Sequence, residues 1–235
     1  MLRKFISVLF IALGMLLQSS PTPLRALGLE PAGFVPVSVP AGITAVTPPL
    51  QSDLNGNSSP ETLALNDGRL SIFSGGETVW QSPKTWHIVQ AAISDLNRDG
   101  KPEITVLLWR PFRPWPADRW LPNGGRIAEF QDAEGQSCQI ILIGWTRGGY
   151  HELWAGSAMA DPITFFAAVD INSNGTEELV ALESRYTDPK SAPARTLKVW
   201  EWNGFGFTAV SSIDGTFSKI SLVRANNSHI LILVP

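Results

Sequence analysis

One loop pattern occurs three times in this chain, and each copy is followed by a short apolar run. In its clearest copy, oxygen-bearing side chains stand at alternate positions, Asp95, Asn97 and Asp99, followed by Gly100 and then by Glu103. All three copies keep one spacing, with the closing Glu eight positions after the opening Asp: Asp53 to Glu61, Asp95 to Glu103, and Asp170 to Glu178. Three copies of one spacing indicate an internal repeat, and a repeat restricts the chain to a repetitive fold.

The residue types in these loops are typical of a site for a hard cation. Calcium takes six to eight oxygen ligands, and alternate residues of a tight loop can direct their oxygens at one centre. Gly100 permits the left-handed backbone that closes such a loop. Two alternatives stay open: Asp and Asn also form Asx-turns without a metal, and Asp95, Asp99 and Glu103 could serve as acid and base. The pairing of carboxylates with Asn favours metal ligation.

The segments around the loops predict strands rather than helices. The loops lead into residues 62–65, 104–109 and 179–182, which are short, apolar and partly β-branched. Apolar segments also precede the second and third loops. An EF-hand is excluded, because it lies between helices and closes with Glu at its twelfth position, which here is Val106.

A second hairpin with aromatic residues follows each loop and its strand. Its two arms are separated by glycine-containing segments and lie at residues 70–73 and 78–80, 141–145 and 153–154, and 197–202 and 209–210. Each unit is therefore predicted to have four strands. The first two loops open at Asp53 and Asp95, a distance that matches the propeller period of about 40 to 50 residues. The third opens only at Asp170, so the second unit carries an insertion.

The strand-flanked pattern D-x-[DN]-x-[DN]-G-x-x-[DE] resembles the FG-GAP or VCBS repeat of integrin-like β-propellers, over roughly residues 50–235. The resemblance implies four-stranded blades and Ca²⁺ in the loops. The ligands it implies are Asp95, Asn97, Asp99 and Glu103; Asp170, Asn172, Asn174 and Glu178; and Asp53, Asn55, Asn57 and Glu61. The first loop has Ser58 where the family has Gly, and it has only two carboxylates. Because affinity follows ligand charge, we expect the second loop to bind most tightly and the first most weakly.

The fold class that these patterns predict is all-β, a small or incomplete β-propeller of about three to four four-stranded blades. The last apolar runs, 220–224 and 230–234, look like a fourth strand–loop–strand in which Arg224 replaces the opening Asp. We expect these two runs to pair with each other. Since the chain stops after half a blade, the propeller is either incomplete or borrows strands from residues 30–47. Residues 34–39 could supply an edge strand to the last blade.

The chain is predicted to have three parts: a signal peptide over residues 1–28, a Pro-rich linker over 29–50 and the propeller over 51–235. A basic start, Met1 to Lys4, precedes a thirteen-residue apolar run that is short for a membrane span. Cleavage is plausible after Gly28, and an uncleaved N-terminal anchor is the alternative. Either way, we expect a secreted or cell-envelope protein that meets a membrane only through such an anchor.

The insertion in the second unit is the stretch outside the repeat that suits recognition. Aromatic and Arg side chains alternate there with Pro, which holds them on a stiff backbone. Trp and Arg are enriched in protein-binding hot spots, and flat rings also stack on sugars. The candidate ligand-binding residues are Trp109, Trp115, Arg119 and Trp120. Alternatively, these rings plug the central hole of the propeller or cap a blade.

The composition and the motifs that do not occur restrict the classes of function to be expected. The net charge is −3 without a basic patch, so nucleic acid is not an expected partner. The single Cys138 excludes an internal disulfide and is expected to be buried, and the three His residues are scattered. No G-x-S-x-G or H-E-x-x-H motif occurs. We therefore expect a non-enzymatic calcium-binding module that binds an unidentified protein or glycan at the cell envelope. The alternatives are a polysaccharide-active hydrolase or lyase and a purely structural envelope subunit.

Overall fold

The computed structural model describes residues 25–114, 129–225 and 230–234. In these ranges the chain forms seventeen β-strands in four antiparallel sheets and has no α-helix. The sheets are the blades of a four-bladed β-propeller, which confirms the predicted fold class. No helix in the described ranges is long and apolar enough to cross a membrane.

Three blades follow one another along the chain, and each is a four-stranded meander. Blade 1 contains β4 (Gln51–Ser52), β5 (Glu61–Asn66), β6 (Arg69–Ser74) and β7 (Glu77–Gln81). Blade 2 contains β8 (His87–Ser94), β9 (Glu103–Pro111), β10 (Gln136–Thr146) and β11 (Gly149–Ala155). Blade 3 contains β12 (Ile163–Val169), β13 (Glu178–Glu183), β14 (Ala194–Trp202) and β15 (Phe207–Phe217). The predicted strand–loop–strand units and their aromatic hairpins are thereby confirmed.

Blade 4 joins the two ends of the described chain. Its strands are β1 (Arg25–Glu30), β2 (Gly33–Val37), β3 (Thr44–Ala45), β16 (Ser221–Arg224) and β17 (Ile230–Val234), in the order β2-β1-β17-β16-β3. The expected pairing of the last two apolar runs is confirmed, with Leu222 opposite Ile232. The borrowing of N-terminal strands is also confirmed, because β2 is the outer edge of this blade.

The strand next to β17, however, is β1, whose residues the sequence analysis placed in the signal segment and at the start of the linker. Leu27 lies opposite Ile232, and both are buried. The described propeller therefore extends N-terminal to residue 51. Residues 1–24, which contain the basic start and the apolar run, lie outside the described ranges.

The hydrophobic cores lie between neighbouring blades, so the inner strands are covered on both faces. All six residues of β13 are buried, and so are eight of the eleven in β10, including Cys138 as expected. This accounts for their continuous apolar runs, since a strand with one solvated face alternates instead. One cluster contains Leu70, Ile104 and Ile141 of blades 1 and 2. Another joins blades 2 and 3, and a third joins blades 3 and 4.

A side chain also crosses the junction between blades 2 and 3. The amide of Gln90 on β8 donates to the backbone carbonyl of Phe166 on β12 (2.6 Å) and accepts from the Phe166 backbone N–H (3.1 Å). The Gln90 amide thus imitates a neighbouring strand, because it satisfies both backbone groups of a fully buried residue.

Candidate metal centre

The three repeated loops occupy equivalent positions in blades 1, 2 and 3. Loop 1 (residues 53–61), loop 2 (95–103) and loop 3 (170–178) each join the first strand of a blade to its second. The residue after each opening Asp is a buried aliphatic one: Leu54, Leu96 and Ile171. These side chains anchor the loops to the core, which leaves the polar side chains at the alternate positions to gather above it.

Side-chain oxygens hold the backbone of loop 2 in a compact turn. Asp95 accepts the backbone N–H groups of Asp99 (3.0 Å) and Gly100 (3.1 Å), one on each carboxylate oxygen. Asn97 Oδ1 accepts the same Asp99 N–H at 3.0 Å. Loops 1 and 3 repeat these bonds through Asp53 and Asp170. Hydrogen bonds of the Asx-turn type, the alternative weighed against metal binding, are therefore present in all three loops.

Two positions of every loop have left-handed backbone. The fourth position is Gly56 (φ 78°), Arg98 (φ 61°) or Ser173 (φ 60°), and the sixth is Ser58 (φ 69°), Gly100 (φ 79°) or Gly175 (φ 86°). Ser58 therefore adopts the conformation that Gly has in the other two loops. Since a side chain disfavours this conformation, the backbone conformation at the sixth position costs more free energy in loop 1 than in the other two loops.

Loop 2 brings three carboxylates together. One oxygen from each of Asp95, Asp99 and Glu103 lies within 4.8 Å of the others. Glu103 is only 1 % exposed. Its Oε1 accepts the backbone N–H groups of Leu96 (2.8 Å) and Asn97 (3.3 Å), whereas its Oε2 is buried and has no hydrogen-bond partner among the described residues.

The environment of Glu103 disfavours a bare negative charge. Burial, and secondarily the charges of Asp95 and Asp99, raise the pKa of the Glu103 carboxyl to about 8. A cation among the three carboxylates would supply both the missing partner and the missing positive charge. The residues of loop 2 thus fit a metal ion, with the Asn97 amide oxygen available beside them.

The closing Glu of loop 1 has protein partners on both oxygens. Glu61 is fully buried; its Oε2 accepts the backbone N–H of Leu54 (2.9 Å). Its Oε1 accepts the side-chain amide of Asn55 and the hydroxyl of Ser74 (3.0 Å). Asn55, a residue predicted as a metal ligand, therefore uses its amide nitrogen to satisfy the carboxylate.

The closing Glu of loop 3 is paired with a positive charge that loop 2 supplies. The guanidinium of Arg98 lies 3.1 Å from Glu178 Oε1, and Glu178 Oε2 accepts the backbone N–H of Ile171 (3.1 Å). Burial raises the pKa of Glu178, and Arg98 opposes that rise. In the reverse direction, the Asp95 backbone N–H donates to Glu177 Oε2 at 2.7 Å. Sequence reasoning missed Arg98 and Glu177, because nothing local to either loop indicates a contact with the other.

Trp109 lies at the far end of blade 2 from the loops, on β9 about 20 Å from Glu103 at about 3.3 Å per residue. It is half-buried beside a cleft of about 250 Å³ between blades 2 and 3. Tyr186 meets its ring edge to face, and Lys190 Nζ lies 4.5 Å from the ring centre. The other candidates of the insertion, Trp115, Arg119 and Trp120, lie outside the described residues.

No protein-family model matches the chain, and no curated protein has a significant sequence match.

Proposed function

We propose that this chain is a calcium-binding, extracytoplasmic β-propeller of the FG-GAP or VCBS type that acts as a binding module at the cell envelope. The observation that carries the metal part is the buried carboxyl of Glu103, which lies beside Asp95 and Asp99 and whose Oε2 has no partner among the described residues. A buried carboxylate that is not compensated is costly, and a cation at this point would remove the cost.

The chemistry of the donors favours calcium among biological cations. The candidate ligands of loop 2 are carboxylate and amide oxygens, without His or Cys. Oxygen donors suit calcium and magnesium, whereas imidazole and thiolate suit zinc and copper. A loop built of turns tolerates the irregular coordination that calcium accepts and magnesium does not.

The extracytoplasmic part of the proposal rests on the N-terminal sequence, where a basic start precedes a thirteen-residue apolar run. Such a location would match the metal part, because calcium sites of extracellular modules work at dissociation constants of about 10⁻⁴ to 10⁻³ M. A site of modest affinity would be filled there.

The binding part of the proposal rests on the cleft at Trp109. A half-buried indole, a tyrosine ring and a lysine meet there, at the end of the blade opposite the metal loops. Trp and Tyr are enriched in the hot spots of protein-binding surfaces, and flat aromatic rings also stack on sugars. The partner we propose is accordingly a protein or a glycan of the envelope.

The metal is tested by thermal melts of the purified protein in calcium and in chelator. A ligand that binds only the folded state stabilises it by about 2.7 kcal/mol at a hundredfold excess over Kd. We expect Asp95→Ala to abolish the difference between the two melts and Asp53→Ala to leave most of it. Identical melts of the parent protein, with no calcium by elemental analysis, would refute the metal part.

The binding part is tested on a glycan array, alongside capture of envelope proteins and an activity screen on polysaccharides. Trp109→Ala should abolish binding without changing the calcium-dependent melt. Trp145→Ala is the matched control, because Trp145 is 40 % exposed at the loop end of β10. Binding that survives Trp109→Ala would exclude the cleft, and turnover of a polysaccharide would replace the binding module by an enzyme.

A further inference from the structure

The three closing glutamates differ in how their second carboxylate oxygen is satisfied. In each loop, one oxygen accepts the backbone N–H of the residue after the opening Asp: Leu54, Leu96 or Ile171. Glu61, Glu103 and Glu178 are all at most 1 % exposed. The loops are otherwise alike. The hydrogen-bond or ionic partner of the other carboxylate oxygen therefore shows whether a loop still lacks a positive charge or a donor.

The partner of that second oxygen differs among the three loops. Glu61 has an amide and a hydroxyl from Asn55 and Ser74. Glu178 has the guanidinium of Arg98 at 3.1 Å. Glu103 has no partner in the described ranges. Only loop 2 therefore leaves a place for an added cation, although the family pattern implies one in every loop.

The contact between Arg98 and Glu178 has the features of a built-in cation. Arg98 is always charged, since its guanidinium does not lose its proton in proteins. Its side chain is 25 % exposed, and that of Glu178 is fully buried, so water screens the pair only in part. At the predicted ligand positions, loop 3 has one carboxylate fewer than loop 2, because Asn174 stands where Asp99 does. A divalent ion in loop 3 would thus meet weaker attraction and an adjacent positive charge.

We propose that Arg98 is the resident cation of loop 3, so that the chain binds one divalent ion, in loop 2, and that removing Arg98 opens a latent second site. The latent ligands are Asp170, Asn172, Asn174 and Glu178. The ion in loop 2 rests on the proposed function, whereas the exclusion from loop 3 does not.

The test is the number of calcium ions per chain, measured by equilibrium dialysis of the full chain at saturating calcium. We expect one ion for the parent and two for Arg98→Met, which keeps much of the aliphatic stem. Adding Asp170→Ala to that variant should return the number to one. Lys101→Ala is the matched control, because it removes an exposed positive charge from the same loop and should leave one ion.

Variants that retain Arg98 make the test independent of whether Arg98→Met folds. Asp170→Ala should leave the parent's single ion in place, and Asp95→Ala should remove it. Two ions in the parent, loss of an ion in Asp170→Ala, or one ion in a folded Arg98→Met would overturn the inference. No ion in the parent but one in Arg98→Met, removed by Asp170→Ala, would support the role of Arg98 while refuting the metal in loop 2. No ion in either would refute both.

Discussion

The guanidinium of Arg98 in blade 2 lies 3.1 Å from the carboxylate of Glu178 in blade 3. A second contact crosses in the opposite direction: Glu177 of blade 3 accepts the backbone N–H of Asp95 of blade 2 at 2.7 Å. Side chains from both blades thus cross this junction on the loop side, and Gln90 crosses it on the inner strands. The blade 2–blade 3 junction is therefore held by polar contacts as well as by apolar packing.

Gln90→Leu should weaken this junction. The change leaves the N–H and carbonyl of Phe166 without their partner, and each buried polar group left unpaired costs about 1–3 kcal/mol. We expect the free energy of unfolding in urea to fall by about 2–4 kcal/mol. Gln51→Leu, on the exposed edge strand β4, is the control and should change it by less than about 0.5 kcal/mol. If the free energy of unfolding falls no further in Gln90→Leu than in Gln51→Leu, the Gln90 contacts do not stabilise the fold.

Glu103→Gln and Glu61→Gln should behave oppositely in chelator. In Glu103→Gln the new amide group can occupy the side that has no partner, so the free energy of unfolding should change by less than about 0.5 kcal/mol. In Glu61→Gln the amide must face a hydrogen-bond donor, which should cost about 1–3 kcal/mol.

Calcium should reverse the order of these two variants. Thermal melts with excess calcium should show full stabilisation of Glu61→Gln and none of Glu103→Gln. If Glu103→Gln still gains stability from calcium, Glu103 is not a ligand.

Ser58→Gly and Gly100→Ser exchange the residues at equivalent left-handed positions. A left-handed conformation costs a residue with a side chain about 1–2 kcal/mol, part of which is offset by the larger entropy of unfolded glycine. We expect Ser58→Gly to stabilise by about 0.5–1 kcal/mol and Gly100→Ser to destabilise by a similar amount, in urea titrations with chelator. A Cβ at Gly100 would meet no atom within 4 Å, so crowding does not contribute. Changes of the same sign would contradict the assignment.

The end strands should be indispensable to solubility. A chain that begins at Leu29 lacks Ala26 and Leu27, which are buried against β17. A chain without residues 230–235 lacks β17 itself. We expect both to be insoluble or to bind a hydrophobic dye, because they expose apolar strand edges. A chain that begins at Arg25 is the control and should be soluble. A soluble, equally stable chain from Leu29 would show that β1 is dispensable and that cleavage after Gly28 is tolerated.

The blades could be predicted because their signals are local. The loop spacing and the apolar runs around the loops located the second strand of blades 1 to 3 and the first strand of blades 2 and 3. Glycines between aromatic arms located the other two strands of each blade. The first strand of blade 1, β4, is only two residues long and was not located. The pairing of residues 220–224 with 230–234 was predictable for the same reason, since both runs are apolar and lie a few residues apart.

The contacts that sequence reasoning missed are made across the chain. Arg98 and Glu178 are eighty residues apart, and the variable position that Arg98 occupies in its loop has no preferred partner. The strand β1 was missed for another reason: Ala26, Leu27 and Gly28 are small or apolar, which suits both a cleavage site and an inner strand. Composition cannot separate the two, because the choice depends on the partner strand near residue 232.

The pairing of β1 with β17 also sets a condition on folding, because the ring cannot close before both strands are present. Leu27 lies opposite Ile232, so β1 cannot pair with β17 until the ribosome has synthesised β17, about two hundred residues later. Blades 1 to 3 can form while the chain is still growing, whereas the ring stays open until its final strand emerges. Contacts of such long sequence separation slow folding. A chain that must cross a membrane before it folds would gain time from this delay.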